Sequence, residues 1–531
     1  MSDKENDEGV EIPGGARNFE EWRLRTEVTL DAARSQVVAE RQAKGYRTAR
    51  QNLADLCDED SFVEYGQLAV AAQRQRRAIE ELRAATAADG VITGLATINA
   101  DRFGNETSKV AVVVNDFTVL AGTQGYFHHK KLDRILQVAH KQQLPIIMFT
   151  EGGGGRPGDV DVQTEATGLT VASFALWASL SGVVPRIAVN NGYCFAGNAA
   201  LFGCADITIA TRSSWIGMAG PAMIEGGGLG EFKATEIGPT NLQSENGVVD
   251  IVADDEAAAT RITRDLLGYF QGTQNDWQAH EQEPLNQCLP ADRRFSYKIH
   301  DVISLLADVD SFIELRPHYG SGMITGFLRI EGRPIGILAN DCKILAGAID
   351  APGAEKAARF LQLCDAFDIP LLSVCDTPGF MVGPDSEQDA AVRRMSRLFV
   401  AGASLRVPWV CLVLRKAYGL GAMAMAGGSL NVPDFTAAWP QGEFGPMGLE
   451  GAVHLGFKKE LAAEDDPLKR QQLFDSLVDK MYAKGTALEV AAFVEIDAVI
   501  EPSASRRNIL VALHAARNKK RARGRNFVGV C

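Results

Sequence analysis

The sequence contains no Cys-x-x-Cys pair, no apolar run of membrane-spanning length and no phosphate-binding loop. Its nine cysteines are scattered and odd in number. That excludes the spacings of zinc ribbons and thioredoxin-like redox sites, and it fits reduced, buried thiols in a reducing compartment. Gly226-Gly227-Gly228 lacks the lysine and hydroxyl a P-loop requires, so nucleotide hydrolysis is not expected. Met1 to Glu11 is acidic and polar, with neither an apolar signal core nor Arg-rich transit character, so the expected location is cytoplasmic. Positive charge is in deficit: the net charge of −13 argues against non-specific nucleic-acid binding. His128-His129 are adjacent, and neighbours on a helix point apart with no carboxylate cluster placed near them, so no metal is expected.

What is present is ordinary globular composition, 46% hydrophobic and 23% charged over 531 residues, enough for two or three cored domains. The chain also repeats itself. Asp60-Ser61-Phe62 recurs as Asp310-Ser311-Phe312, and Gly90-Val91-Ile92-Thr93-Gly94 as Gly322-Met323-Ile324-Thr325-Gly326. From there one constant offset relates Asn115-Asp116 to Asn340-Asp341, Ala121-Gly122 to Ala346-Gly347, Lys131 to Lys356, Arg134 to Arg359 and Pro145 to Pro370. Each copy reads as a β-rich run, an amphipathic helix (131–143; 356–368), a short apolar strand after proline, a glycine loop, a helix, another strand and a second glycine turn. This alternation predicts an α/β fold with largely parallel sheets. A long helix over Asn18–Gln42, capped by Asn18 with Glu21 closing a capping box, is expected ahead of the repeats. The linker Gln271–Lys298 carries Pro284 and Pro290 and marks the boundary between them. The expected organisation is an N-terminal helical arm (1–50), a first domain (51–285) and a second (286–531).

Chemistry is expected at the second glycine turn of each copy, Phe195-Ala196-Gly197-Asn198 and Tyr418-Gly419-Leu420-Gly421-Ala422. Each follows an apolar strand and opens a helix of small residues. Glycine lets the backbone turn sharply, and the first helical amides favour negative charge, a geometry suited to an enolate or a ureido oxygen. A glycine turn between strand and helix is also common in any α/β fold; its presence in both copies raises the weight of the functional reading. No Ser-His-Asp arrangement or carboxylate pair stands in either turn.

Six stretches resemble the carboxyltransferase component of biotin-dependent acyl-CoA carboxylases. They are Ala43-Lys44-Gly45-Tyr46-Arg47-Thr48-Ala49-Arg50 leading into Asp60-Ser61-Phe62; Thr150-Glu151-Gly152-Gly153-Gly154-Gly155-Arg156, where the family has Ser-Gly-Gly-Ala-Arg; Ala219-Gly220-Pro221 with Ala234 to Gly238 and Gly247 to Asp250; Leu289-Pro290-Ala291-Asp292; Asp376-Thr377-Pro378-Gly379-Phe380; and Arg415-Lys416-Ala417-Tyr418-Gly419. The resemblance spans roughly Arg34 to Leu513. It implies a crotonase-like (ClpP/crotonase) ββα superhelix in each half, acyl-CoA held by the first half and carboxybiotin by the second. It further implies an oligomer, expected as a hexamer, with the cleft between protomers. Gly197 and Asn198 match the turn that holds the thioester enolate, and Gly421 and Ala422 the turn that holds biotin's ureido oxygen; the family has a second glycine where this chain has Asn198. A biotin reaction needs no protein base, because the ureido nitrogen can take the α-proton after carbon dioxide leaves.

Among other candidates for substrate or cofactor binding, Lys44, Arg47 and Arg50 face the CoA phosphates in one reading and solvent in the other. Arg156 lines the acyl-CoA cleft or makes a loop ion pair. Gly153, Gly154 and Ala196 belong to the acyl side. Gly379, Phe380, Tyr418, Gly419 and Leu420 belong to the biotin side. Met423 and Ala424 line the acyl pocket or pack as ordinary helix residues. Ala422-Met423-Ala424-Met425 lacks the lysine of a biotin-attachment site, and the length leaves no room for an ATP-using biotin carboxylase. The expected partner is therefore a biotin carboxylase and biotin carrier subunit. The basic segment Arg517–Arg525 reads as a helix end or a docking tail. Three alternatives remain in the sequence: the decarboxylase or transcarboxylase direction on the same scaffold; a biotin-free crotonase-like hydratase or isomerase, which would need a carboxylate beside Gly197; and a non-catalytic assembly subunit, for which Asn198 is the only support.

Overall fold

The computed structural model describes residues 14–161, 169–516 and 528–529; the basic segment Arg517–Arg525 lies outside the described residues. The single helix expected over Asn18–Gln42 is broken into a helix Gly14–Glu27, a 3-10 turn Asp31–Arg34 and a helix Ser35–Ala43. Asn18 sits inside the first helix and caps nothing. The interruption is local chemistry. The Thr29 hydroxyl donates back to the Thr26 carbonyl at 2.7 Å, offering the backbone an alternative to the helical ladder. Gln67 then donates to the same hydroxyl at 2.8 Å, and Arg50 to the Thr29 carbonyl at 2.8 Å, so the arm is pinned where it bends.

Two mixed sheets form the body of this α/β protein. The first orders Val63–Tyr65, Val91–Thr97, Lys109–Asn115, Ile146–Phe149, Arg186–Asn190, Ile207–Thr211 and Ile251–Ala253. The second orders Ile313–Leu315, Met323–Ile330, Arg333–Asn340, Leu371–Thr377, Trp409–Tyr418, Phe435–Ala438 and Ala498–Val499, with Glu443–Gly445 beside Trp409–Tyr418. In each, the first two pairings are antiparallel and the rest parallel. The parallel strands are covered on both faces, which is why they read as unbroken apolar runs: all of Ile146–Phe149 and Leu371–Thr377 is buried. Among the described residues no helix is long and apolar enough to cross a membrane.

The shared plan reaches to single residues. Glu64 pairs with Gly94 and Glu314 with Gly326. A Cβ at either glycine would lie 2.3 Å from the carbonyl opposite, Val63 or Ile313, and against the Phe62 or Phe312 ring. The repeated Phe and Gly are thus one packing unit, used twice. Leu132, Ile135, Leu136 and Ala139 bury the apolar face of the helix Tyr126–Gln142 against the first sheet, as their spacing predicts. Lys131 and Lys356, at equivalent places on their helices, bury their ammonium groups: Lys131 Nζ donates to the carbonyls of Ala88 (2.9 Å) and Val91, and Lys356 Nζ to that of Arg316 at 2.7 Å. Burial pulls each down to about 8.

The two sheets meet edge to edge through a buried charge network. The Arg316 amide donates to the Asp250 carbonyl at 2.8 Å. Its guanidinium donates to Asp250 Oδ1 at 2.6 Å, and Thr208 N donates to Oδ2 at 2.7 Å. Arg359 approaches the same carboxylate at 3.9 Å while donating to the Asp206 carbonyl at 2.5 Å. Arg316 and its neighbours hold Asp250 below the usual carboxylate range against the opposing effect of burial.

Two outcomes follow from these buried charges. Asp250→Ala strands two guanidinium groups and is expected to cost about 3–5 kcal/mol of stability, read from denaturant midpoints. The unfolded lysines keep their protons to about 10.5 whereas the folded ones release them near 8. Stability should therefore rise between those pH values, and the double variant Lys131→Met/Lys356→Met should flatten that rise in midpoints measured across the window.

Candidate functional site

At the C-terminal ends of the parallel strands each sheet presents the same two-tier backbone construction. The lower tier is a left-handed turn, Leu120-Ala121-Gly122 (φ 49°, 55° and 62°) in one half and Leu345-Ala346-Gly347 (φ 50°, 54° and 89°) in the other. Only a turn without a side chain at its third position fits: a Cβ on Gly122 would meet the Glu151 carbonyl at 2.7 Å, and one on Gly347 the Asp376 carbonyl at 2.3 Å. Above it run the glycine loops. Gln124 N donates to the Gly154 carbonyl at 2.7 Å and receives Arg156 N at 2.9 Å; Ile349 N donates to the Gly379 carbonyl at 3.0 Å and receives Met381 N at 2.9 Å.

The upper tier is the start of a short helix, Gly197–Gly203 or Gly419–Met425. Both starts follow a residue or open on one with positive φ, Ala196 at 52° and Gly419 at 57°. The bridges Gly152↔Cys194 and Thr377↔Ala417 fix the register. Gly197 is equivalent to Leu420 and Asn198 to Gly421, one place away from the glycine-to-glycine match of Gly197 with Gly421. The positive-φ residue, not the following glycine, is what aligns the turns. The first amides of a helix have no intrahelical acceptor, and among the described residues those of Gly197, Asn198, Leu420 and Gly421 have no other. In the second half Gly421 rests on the loop itself, its missing Cβ 2.6 Å from the Gly379 carbonyl carbon and 3.0 Å from Phe380 N. In the first half that place belongs to the Asn198 side chain, which is fully buried. Asn198 Oδ1 accepts from Gly154 N at 3.1 Å, and Nδ2 reaches the Gly122 carbonyl at 3.5 Å.

Beneath each loop lies an acid that sequence reasoning passed over, Glu151 and Asp376, each at the same step before its glycines. Glu151 takes a two-pronged bond from Arg41 of the N-terminal arm, at 3.0 and 2.5 Å. Burial nevertheless pushes its carboxyl up to about 7, with Arg41 pulling the other way. Asp376 takes Arg415 Nη2 at 3.0 Å and Lys416 N at 3.1 Å. The available signal was the repeat itself, since both acids sit in register with the loops.

The remaining candidates divide. Lys44 is exposed. Arg47 bonds Asp55 and the Gln51 carbonyl, and Arg50 bonds Glu64 at 3.0 and 3.4 Å, so both guanidinium groups are engaged within the chain. Arg156 is a buried loop clamp on Asp89, Asp159 and the Thr123 carbonyl. Gly153 N is bonded to the Ala121 carbonyl at 3.0 Å. Tyr418 is buried, and Phe380 packs on Phe399. Leu420 and Met423 are open to solvent, whereas Ala424 turns into the core. Ala422 and Met423 instead line, with Phe444, Leu449, Phe457 and Met481, a largely apolar cavity of about 530 Å³ beside the second turn. Among the described residues no cluster of histidine, cysteine or acid side chains is placed to hold a metal.

Residues 40–530 match the carboxyl transferase domain family. The biotin-dependent long chain acyl-coenzyme A carboxylase beta4 subunit of Mycobacterium tuberculosis is 30% identical over 527 residues, covering 95% of each chain. Among solved structures, a single-chain, multi-domain long-chain acyl-CoA carboxylase superposes with a TM-score of 0.89 at 52% identity. That match covers 93% of this chain and 48% of that one, so the chain spans about half its length. The transcarboxylase 12S hexamer, with methylmalonyl-coenzyme A and methylmalonic acid bound, superposes with a TM-score of 0.82 at 28% identity, covering 98% of this chain and all of that one.

The Asn198 plug has a measurable weight. Asn198→Ala leaves the buried Gly154 amide without its acceptor and is expected to cost about 1–3 kcal/mol in thermal or denaturant unfolding. The isosteric Asn198→Asp retains the acceptor but must bury a charge, and is expected to cost more.

Proposed function

The chain belongs to the carboxyl transferase family and is the carboxyltransferase subunit of an acyl-CoA carboxylase, and from that premise we infer that it moves a carboxyl group from carboxybiotin, carried by a partner chain, to the α-carbon of an acyl-CoA thioester. The observation that carries this reading is the pair of equivalent backbone turns, whose leading amides have no acceptor among the described residues. Each half is a crotonase-like domain, the first (51–285) binding acyl-CoA and the second (286–531) binding the carboxybiotin. The amides of Gly197 and Asn198 hold the thioester oxygen as it becomes an enolate. The amides of Leu420 and Gly421, bare because Gly421 lies flat on Gly379, fit the ureido oxygen. Carboxybiotin supplies the carbon dioxide and, once that has left, a nitrogen to accept the α-proton; the enolate carbon then forms the new carbon–carbon bond. The chain's own contribution is positioning and electrostatics. The biotin-free hydratase reading is weakened by Glu151, the acid under the first loop, which is buried and committed to Arg41.

The apolar cavity beside the second turn has a volume within the roughly 300–1,000 Å³ of small-ligand sites and suits the tail of a long acyl chain, with Met423 at its mouth. The long-chain carboxylase likeness supports that choice, and the hexamer of transcarboxylase 12S supports a cleft completed by a second protomer. The partners that fit this reading are a biotin carboxylase and a biotin carrier on other chains.

Gly421→Ala puts a methyl into the Gly379 backbone, so carboxyl transfer to long-chain acyl-CoA from the biotinylated partner is expected to fall about 10²–10³-fold, while acyl-CoA binding measured by calorimetry stays within twofold or so. Undiminished transfer would remove this turn from the mechanism.

A further inference from the structure

Gln124 is nearly fully buried, and its backbone is clamped on both sides by the first glycine loop. Its carboxamide lies against the start of the helix Gly197–Gly203: a Cβ on Gly197 would sit 2.4 Å from Oε1 and 3.2 Å from Cδ, with the Phe174 ring closing the far side at 3.2 Å. Gly197 is therefore glycine at least partly to admit this side chain. The other end of the carboxamide, Nε2, has no hydrogen-bond partner among the described residues. A buried donor without an acceptor is costly, and such groups persist where a ligand supplies the missing atom. The equivalent residue in the second half is Ile349, clamped to its own loop by the same two backbone bonds and carrying no polar group. The feature is thus confined to the half that faces the thioester.

We propose that Gln124 is a substrate-positioning donor, its side-chain N–H bonding the acyl-CoA thioester oxygen beside the amides of Gly197 and Asn198. This rests on the carboxyltransferase reading above and adds to it a third, side-chain donor that exists on the acyl side only. Such a group makes the first turn a stricter reader of a carbonyl oxygen than the second. It also gives the apo protein an unsatisfied group whose removal is favourable to folding.

The test pairs stability with turnover in Gln124→Leu and Gln124→Met, made in the full chain and assayed with its biotinylated partner, and in the reverse direction with a carboxylated acyl-CoA and free biotin as acceptor. Expected are an unchanged or raised melting temperature without ligand, a reduced melting-temperature shift on adding acyl-CoA, and a fall in kcat/KM of roughly tenfold, the weight of one hydrogen bond. Gln124→Asn, which keeps the donor on a shorter arm, should recover part of the acyl-CoA shift. A lowered melting temperature with kcat/KM unchanged would show a packing role and overturn the proposal, as would variants that bind and turn over like the parent. Failure of the parent protein itself to bind acyl-CoA would sink the carboxyltransferase reading instead, so the two are told apart by the parent arm alone.

Discussion

The site depends on how closely two stretches of main chain can approach. In the second half a helix start lies directly on a loop, with Gly421 over Gly379 at a separation that leaves no room for a single methyl group. The leading amides above that contact have no acceptor among the described residues. Everything beneath serves to hold the loop at that height: the left-handed turn at Leu345-Ala346-Gly347, the Asp376 carboxylate and the arginine that neutralises it. Oxyanion stabilisation of this kind requires donors fixed before the reaction begins, because reorganising them would cost what they are meant to contribute.

The first half solves the same problem with a side chain. Asn198 fills the gap between helix and loop, and its carboxamide oxygen accepts from the buried Gly154 amide. The two turns are therefore alike in backbone and unlike in polarity. One presents main chain alone. The other is bordered by two carboxamides, Asn198 and Gln124, in a setting closed by Phe174.

Much of this was readable from residue order. The constant offset between the halves located both sheets, both helices Tyr126–Gln142 and Ala351–Ala366, and both glycine turns, because packing units such as Phe62 with Gly94 recur as Phe312 with Gly326. Besides the acids Glu151 and Asp376, three features escaped. The arm helix breaks at Thr29 because of a hydroxyl bond to Thr26 that hydrophobic periodicity does not register. The equivalence of the turns shifts by a residue because backbone dihedrals align Ala196 with Gly419, whereas letters align glycine with glycine. The partners of Arg47, Arg50 and Arg156, the carboxylates of Asp55, Glu64 and Asp89, are set by folding, so residue order left open whether these arginines face ligand or protein, and Lys44 alone of the expected basic cluster is exposed.

The Asp250 network joins two sheets built on one plan. Each sheet ends on an aspartate that receives a threonine amide, Asp250 from Thr208 and Asp497 from Thr436, both at 2.7 Å. In each, the first strand is followed by a left-handed residue, Gly66 after Val63–Tyr65 and Arg316 after Ile313–Leu315. Only Arg316 carries a guanidinium to meet an aspartate; Gly66 has none to offer, and Asp497 is left facing water. The buried ion pair that joins the two sheets is thus made once, by a residue whose counterpart in the first sheet has no side chain.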